Sequence, residues 1–256
     1  MNTKPVVIVG IGEIGSVFAR GFLRCGSPIY PVNRNTTMEA VAQDLPGPEL
    51  VLVGVGETDL HPVISNVPEP WRDRLVLIQN ELLPRDWERY SLSPTVLSVW
   101  FEKKRGQDVK IVVPSVVFGP NSAEVSRALD ALDIPCTELH AAEQLVFELV
   151  RKNLYILVSN ICGLKAGGTV SALWSEHQEL ARSVVKDVIA IQQWLVGQEL
   201  DSEKLVAAMV VAFNGDPEHK CMGRSAPARL QRALAIADEA GLDVPTLRKI
   251  QRDIAS

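Results

Sequence analysis

The sequence predicts an α/β domain followed by a mostly helical one, and three observations carry that reading. Short β-branched apolar runs alternate with helical or turn-forming segments over the first hundred residues, a glycine-rich turn separates the first strand from the first helix, and beyond residue 140 long helical periodicities take over. The 256 residues suffice for two modest domains, placed at 1–140 and 141–256.

Candidate strands run over Val6–Val9, Ile29–Val32, Leu50–Val55, Leu75–Ile78 and Val96–Trp100. Each is apolar almost throughout, as expected where helices cover both faces of a parallel sheet. Between the first two, Ile14, Val17, Phe18, Phe22 and Leu23 recur at helical spacing, and Gly26 stands where a glycine stops a helix. Lys110–Val117 adds a further strand or hairpin arm interrupted by Pro114, followed by a turn at Phe118–Asn121 and a helix over Ser122–Leu132. The second half reads as helices over 141–163, 170–196, 202–213 and 226–240, punctuated at Asn214–Pro217 and Gly241–Pro245.

A composition of 46% hydrophobic and 22% charged residues is that of a folding globular chain, which sets aside disorder and collagen-like repeats. The net charge of −5 removes the broad basic field that non-specific nucleic-acid or anionic-membrane binding needs. The four cysteines lie far apart with no CxxC and no Cys/His pair at zinc spacing, so no metal site and no disulfide framework is expected. A reducing cytoplasm is the expected setting. The apolar stretch Pro5–Val9 is too short for a signal sequence, and no segment reaches the ~20 apolar residues of a membrane span.

Gly10-Ile-Gly-Glu-Ile-Gly15 follows a strand and opens an amphipathic helix, the context that gives GxGxxG its meaning. Gly10 would permit the tight turn, Gly12 would let a pyrophosphate approach the backbone, and Gly15 would let helix and strand pack closely. The amides of Glu13, Ile14 and Gly15 then open a helix N-terminus with its partial positive charge. The expected unit is a Rossmann-type dinucleotide-binding domain. After the second strand the chain reads Pro31-Val-Asn-Arg-Asn35, without the acid that bonds a ribose 2′-hydroxyl in NAD sites. Arg34 can pair with a 2′-phosphate and Asn33 or Asn35 can add neutral hydrogen bonds, which favours NADP(H) while leaving NAD(H) open. In the next domain Glu148, Lys152, Ile156 and Asn160 fall four apart on one helix face, which puts a lysine and an asparagine on an otherwise apolar surface.

With these residues in view, the chain resembles the ketopantoate reductase family over nearly its whole length. The matching pieces are Gly10–Gly15 with Arg34, Ile78-Gln-Asn-Glu81, Phe118-Gly-Pro120, Glu148-Leu-Val-Arg-Lys-Asn153 with Asn160, and Ala240-Gly-Leu-Asp-Val-Pro245. The resemblance implies a Rossmann domain followed by a helical domain like the C-terminal domain of 6-phosphogluconate dehydrogenase, with NADPH and a small 2-keto acid meeting in the cleft. It implies that Lys152 hydrogen-bonds the carbonyl and protonates the developing alkoxide. It also implies that Asn80 spans cofactor and substrate and that Asn160 binds substrate. An ammonium aimed at a carbonyl polarises it toward hydride attack, and partial desolvation makes it a better proton donor.

The departures from the family are as specific as the matches. Glu57 stands where the family commonly has a lysine, Ile156 where its helix has a second asparagine, and Glu81 where a glycine normally follows the asparagine. The family's serine and acid before the last helices have only His219–Ala226 as a counterpart, with Cys221 or Ser225 at the hydroxyl-like positions and no acid. Pantoate formation itself is therefore not expected. The reading is an NADP(H)-dependent oxidoreductase that reduces a small 2-keto acid or related carbonyl compound. The alternative is a dinucleotide-binding module without turnover, acting as a redox sensor or interaction partner. The apolar helical half can serve as a homodimer surface.

Overall fold

The structure is a computed structural model that describes residues 3–255. The chain divides into two compact units, one ending at Glu148 and the other beginning at Leu149.

The first unit begins with β1 (Val6–Val9), α1 (Glu13–Arg24), β2 (Ile29–Val32), α2 (Met38–Asp44), β3 (Val51–Val53) and α3 (Leu60–Ser65). It continues through β4 (Leu75–Leu77), α4 (Arg85–Glu88), β5 (Thr95–Ser98), β6 (Phe101–Glu102), β7 (Lys110–Ile111), β8 (Ser115–Phe118), α5 (Ser122–Asp130) and β9 (Cys136–Glu138). Among the described residues, seven of these strands form one sheet in the order β2-β1-β3-β4-β5-β8-β9. The pairings are parallel except β5 with β8, which is antiparallel.

Every residue of β1, β3, β4 and β5 is buried, which is why these strands lack polar alternation in the sequence. β2 lies at the sheet edge and accordingly tolerates Pro31 and an exposed Tyr30. On one face Val6, Ile8, Leu50, Leu52, Val76, Leu97 and Val117 pack with Val17, Phe18 and Phe22 of α1 and with Val125, Ala128 and Leu129 of α5. The two helices approach closely at Gly21, where an added Cβ would lie 2.3 Å from the Ala128 carbonyl oxygen. Burying Phe18 and Phe22 contributes about 2–3 kcal/mol each.

Two strand expectations change in detail. Leu50–Val55 shortens to β3 because Gly54-Val55-Gly56 leave the ladder at the sheet's carboxyl end. Lys110–Val117 becomes two strands in different sheets: β7 pairs with β6 in a separate ribbon, and β8 starts after Pro114, which has no N–H to offer a ladder.

α6 (Ala142–Ala166) runs through the division between the units. The second unit continues with α7 (Val170–Glu176), α8 (Gln178–Val196), α9 (Ser202–Gly215), α10 (Ala226–Ala240) and α11 (Pro245–Ala255). The helix expected over 170–196 is broken at His177, which takes φ −125° and ψ 32°. Two buried polar groups tie this bundle together. Asn153 on α6 donates to Gln192 Oε1 on α8 at 3.0 Å. Asp187 on α8 accepts from the Thr246 and Leu247 amides at 2.8 and 3.0 Å, satisfying the open first turn of α11. The Ala240–Pro245 motif, a family match and a break between helices in the sequence, thus also leads into α11. Among the described residues no helix is long and apolar enough to cross a membrane.

Candidate functional site

A sheet in which β1 lies between β2 and β3 opens a crevice at the carboxyl ends of those strands, because the chain leaves β1 toward one side and returns on the other. A cavity of about 810 Å³ lies there, lined by Gly10 and Gly12 after β1, Asn33 and Arg34 after β2, and Gly54 and Gly56 after β3. That volume suits a bound small molecule or cofactor fragment.

The three glycines of the motif do three different things. Gly10 has φ +87°, and a Cβ there would meet Val55 Cγ1 at 2.9 Å. A Cβ on Gly15 would stand 2.5 Å from the Gly10 carbonyl oxygen, so this residue sets how closely α1 sits on β1. A Cβ on Gly12 would meet no described atom within 4 Å: it faces open space on the cavity wall. Gly12 is also the N-cap of α1, with no side-chain hydrogen bond among the described residues closing that end. The first-turn amides of Glu13, Ile14 and Gly15 therefore remain available as donors beside the positive end of the helix dipole. The Ile14 side chain packs against the core, so what Ile14 can offer a ligand is its amide. Glu13, an acid at that same end, is 3.5 Å from the Lys103 ammonium, which offsets its charge. Lys103 follows β6, and nothing in the sequence links it to the motif.

At the rim after β2, Asn33 lines the cavity and its Oδ1 accepts the Asn35 amide at 2.9 Å. Arg34 is exposed and lines the cavity with Thr36 and Thr37. Glu39 and Asp59 line it too. These two carboxylates come from α2 and from the turn before α3, and the sequence alone gives no sign of them at this cavity. α3 is braced from outside by His61, whose Nε2 is 3.4 Å from Asp86 Oδ1 and whose Nδ1 meets the Arg89 guanidinium. Burial, with help from Arg89, holds the His61 imidazole below its ordinary range, and burial raises the Asp86 carboxyl.

Asn80 follows β4, and its Nδ2–H donates to Glu57 Oε1 at 3.0 Å. Glu57, the residue that departs from the family lysine, therefore holds Asn80. The neighbouring Gln79 is buried and donates to the Val53 and Val55 carbonyls at 2.7 and 3.2 Å, which ties the loop after β4 to the end of β3. Glu81 takes φ +59°, a left-handed conformation in which a glycine would be unstrained. In Phe118-Gly-Pro120, a Cβ on Gly119 would fall 2.6 Å from Thr95 Cα, a packing reason for that motif.

In the second unit, Lys152, Ile156 and Asn160 lie along α6, each more than nine-tenths buried. Asn160 Oδ1 accepts from Arg229 Nη1 of α10 at 3.0 Å. Gly223 passes close by, a Cβ there standing 3.6 Å from the same oxygen. Cys221 is fully buried, and burial pushes its thiol up to about 11, so it is a packing residue and not a nucleophile. The Lys220 backbone pairs with Thr169 across an isolated bridge, so this basic stretch is held as a loop against the start of α7.

A mostly parallel sheet with a glycine-turned helix at its switch point, followed by a helical unit, defines a Rossmann-type α/β protein with a helical C-terminal unit. No family model matches the chain, and no curated protein matches it in sequence. Solved structures do. A ketopantoate reductase from Ralstonia eutropha JMP134 has a TM-score of 0.66 at 17% identity, covering 98% of this chain and 97% of that one. A dimeric ketopantoate reductase from Staphylococcus aureus has a TM-score of 0.65 at 17% identity, with 98% and 97% covered. A D-mandelate dehydrogenase solved with NADH and anilino(oxo)acetate has a TM-score of 0.64 at 12% identity, with 98% and 97% covered. The fold is that of the ketopantoate reductases over essentially the whole chain, as the sequence resemblance implied, and these neighbours are oxidoreductases by name.

Proposed function

We propose that this protein is a nicotinamide-dinucleotide-dependent oxidoreductase that reduces a small 2-oxo acid or related carbonyl compound, with NADP(H) preferred. The observation that carries this reading is the glycine turn, with Gly12 facing open space at an uncapped helix N-terminus on the wall of a cavity. Arg34 supports the 2′-phosphate preference. Glu39 and Asp59 offer acceptors to ribose hydroxyls and support weaker use of NAD(H). The names of the neighbours, two keto-acid reductases and a hydroxy-acid dehydrogenase, support the substrate class.

A bound nicotinamide supplies hydride, and the remaining tasks fall to side chains. Lys152 hydrogen-bonds the carbonyl oxygen, polarises the C=O and gives that oxygen a proton as the alcohol forms. Asn80, steadied by Glu57, and Asn160, steadied by Arg229, orient the reacting groups. Pantoate is a poor candidate for the product because no acid in 219–226 stands ready for its hydroxyls. The wide spacing of the cysteines supports a cytoplasmic setting, and the dimeric neighbour supports a homodimer.

The test is NADPH oxidation on a panel of 2-oxo acids, with wild type beside Lys152→Ala. Ketone-dependent oxidation that the variant loses while still binding cofactor supports the reading. NADPH that binds yet is never consumed, whatever the carbonyl offered, would point to the module without turnover.

A further inference from the structure

We infer that Lys103 is a positioning residue for the dinucleotide: its ammonium cancels the charge of Glu13, so that the start of α1 can receive a second anion, the pyrophosphate. This rests on the cofactor reading above and adds a residue to the same site. Glu13 stands inside the glycine motif, at the first position of α1. A carboxylate there favours the helix itself, because it meets the positive end of the dipole. It disfavours a phosphate brought to the same end, because two anions then share one set of amide donors. The motif therefore needs a cation that the motif does not contain.

The β6–β7 ribbon supplies it. Phe101 of β6 is buried in the core, and its ring centroid lies 6.1 Å from that of Phe18 on α1. Val109, just before β7, packs against the same core. The ribbon is thus fixed to the flank of α1, and just past β6 the Lys103 ammonium stands 3.5 Å from Glu13 Oε2. Lys103 Nζ also donates to the backbone carbonyls of Lys104, at 2.9 Å, and of Gln107. Those two bonds hold the ammonium beside the carboxylate. The Lys103 side chain is 19% exposed against 66% for Lys104, so of this basic run it is the lysine that is held in. Among the described residues Lys103 is the only ion-pair partner of Glu13. An ammonium whose donors are already engaged acts through its charge and not as a ligand to phosphate, which separates its role from that of Arg34.

The experiment titrates the full-length protein with NADPH and NADH at low and high salt, in wild type, Lys103→Gln, Glu13→Gln and the double variant. Glutamine at 103 keeps a donor for the ribbon carbonyls and drops the charge. Lys103→Gln is expected to raise both Kd values about threefold or more at low salt, with the loss shrinking in about 0.5 M salt. Both cofactors lose because they share the pyrophosphate, whereas Arg34→Ala acts on NADPH. Glu13→Gln leaves the ammonium unopposed and is expected to tighten NADPH by a similar factor. The double variant returns to within about twofold of wild type, because the charge that needed cancelling is gone. An unchanged Kd in Lys103→Gln, a loss confined to NADPH, or a double variant as weak as Lys103→Gln alone overturns the proposal. The last of these would make Lys103 a direct phosphate ligand or a prop for the ribbon. Should Lys103→Gln fail to fold, Glu13→Gln decides alone, and NADPH binding no tighter than in wild type overturns the proposal. In each of these cases a wild type that binds NADPH leaves the cofactor reading standing. A wild type that binds neither cofactor overturns both.

Discussion

The glycine-turn cavity of the first unit and the lysine row of the second are built by different means. At the cavity, glycine backbone after β1 and β3 keeps the wall open, with the uncapped start of α1 beside it and side chains such as Asn33 and Arg34 at the rim. The row is mostly side chains, and its far end is completed by a guanidinium from a helix 69 residues away. A backbone site depends on where side chains are absent, and a few adjacent letters specify that. A side-chain site depends on which helices meet. The same contrast predicts how each fails: the first through added atoms, the second through removed ones.

The largest effect is expected from removing the row's cation. Lys152→Ala should lower ketone-dependent NADPH oxidation by about 10²–10⁴-fold, the usual range for a general acid, with NADPH affinity unchanged in a direct titration. A fall of less than about tenfold would take the proton away from Lys152.

Added atoms at the cavity should separate packing from binding. In Gly15→Ala the new methyl meets the Gly10 carbonyl at 2.5 Å, and the backbone must shift. A loss of about 1–3 kcal/mol in urea unfolding is expected. In Gly12→Ala the methyl enters open space, so stability should change by less than about 1 kcal/mol while NADPH affinity falls at least about tenfold. If the two variants lose stability alike, the division of labour among the glycines is wrong.

The smallest effect is a pH slope in the helical unit. Burial raises the Asp187 carboxyl above its ordinary 3.8, although the Leu247 and Thr246 amides pull it down. The folded chain therefore holds this proton to higher pH than the unfolded chain does. Stability should fall as pH climbs from just below 3.8 through the raised value. Asp187→Asn keeps an acceptor for the two amides and removes the charge, so its melting temperature should depend less on pH across that window. An unchanged slope would assign the dependence elsewhere, Asp86 being the other carboxyl raised by burial.

The parts legible in the sequence follow from this contrast. The glycine motif, Arg34 and the apolar strands could be read because each is a local pattern with a local physical cause. Lys103 beside Glu13, Glu39 and Asp59 on the cavity wall, and Gln79 between two strand ends could not, because each is defined by a neighbour far away in the chain. The family resemblance located Lys152, Asn80 and Asn160 but said nothing of the partners that now hold two of them, Glu57 and Arg229. Helix ends were legible where a glycine or a Pro marks them. The break at His177 has no such marker, and α11 was passed over although Pro245 opens it.

The most direct test of the central claim is titration of the purified protein with NADPH and NADH, followed by heat or fluorescence, in wild type and Arg34→Ala. The account predicts that NADPH binds more tightly than NADH, and that Arg34→Ala weakens NADPH by about tenfold or more while moving NADH little. Binding of neither cofactor would contradict the account outright, and NADH binding as tightly as NADPH with no response to Arg34→Ala would remove Arg34 from the site.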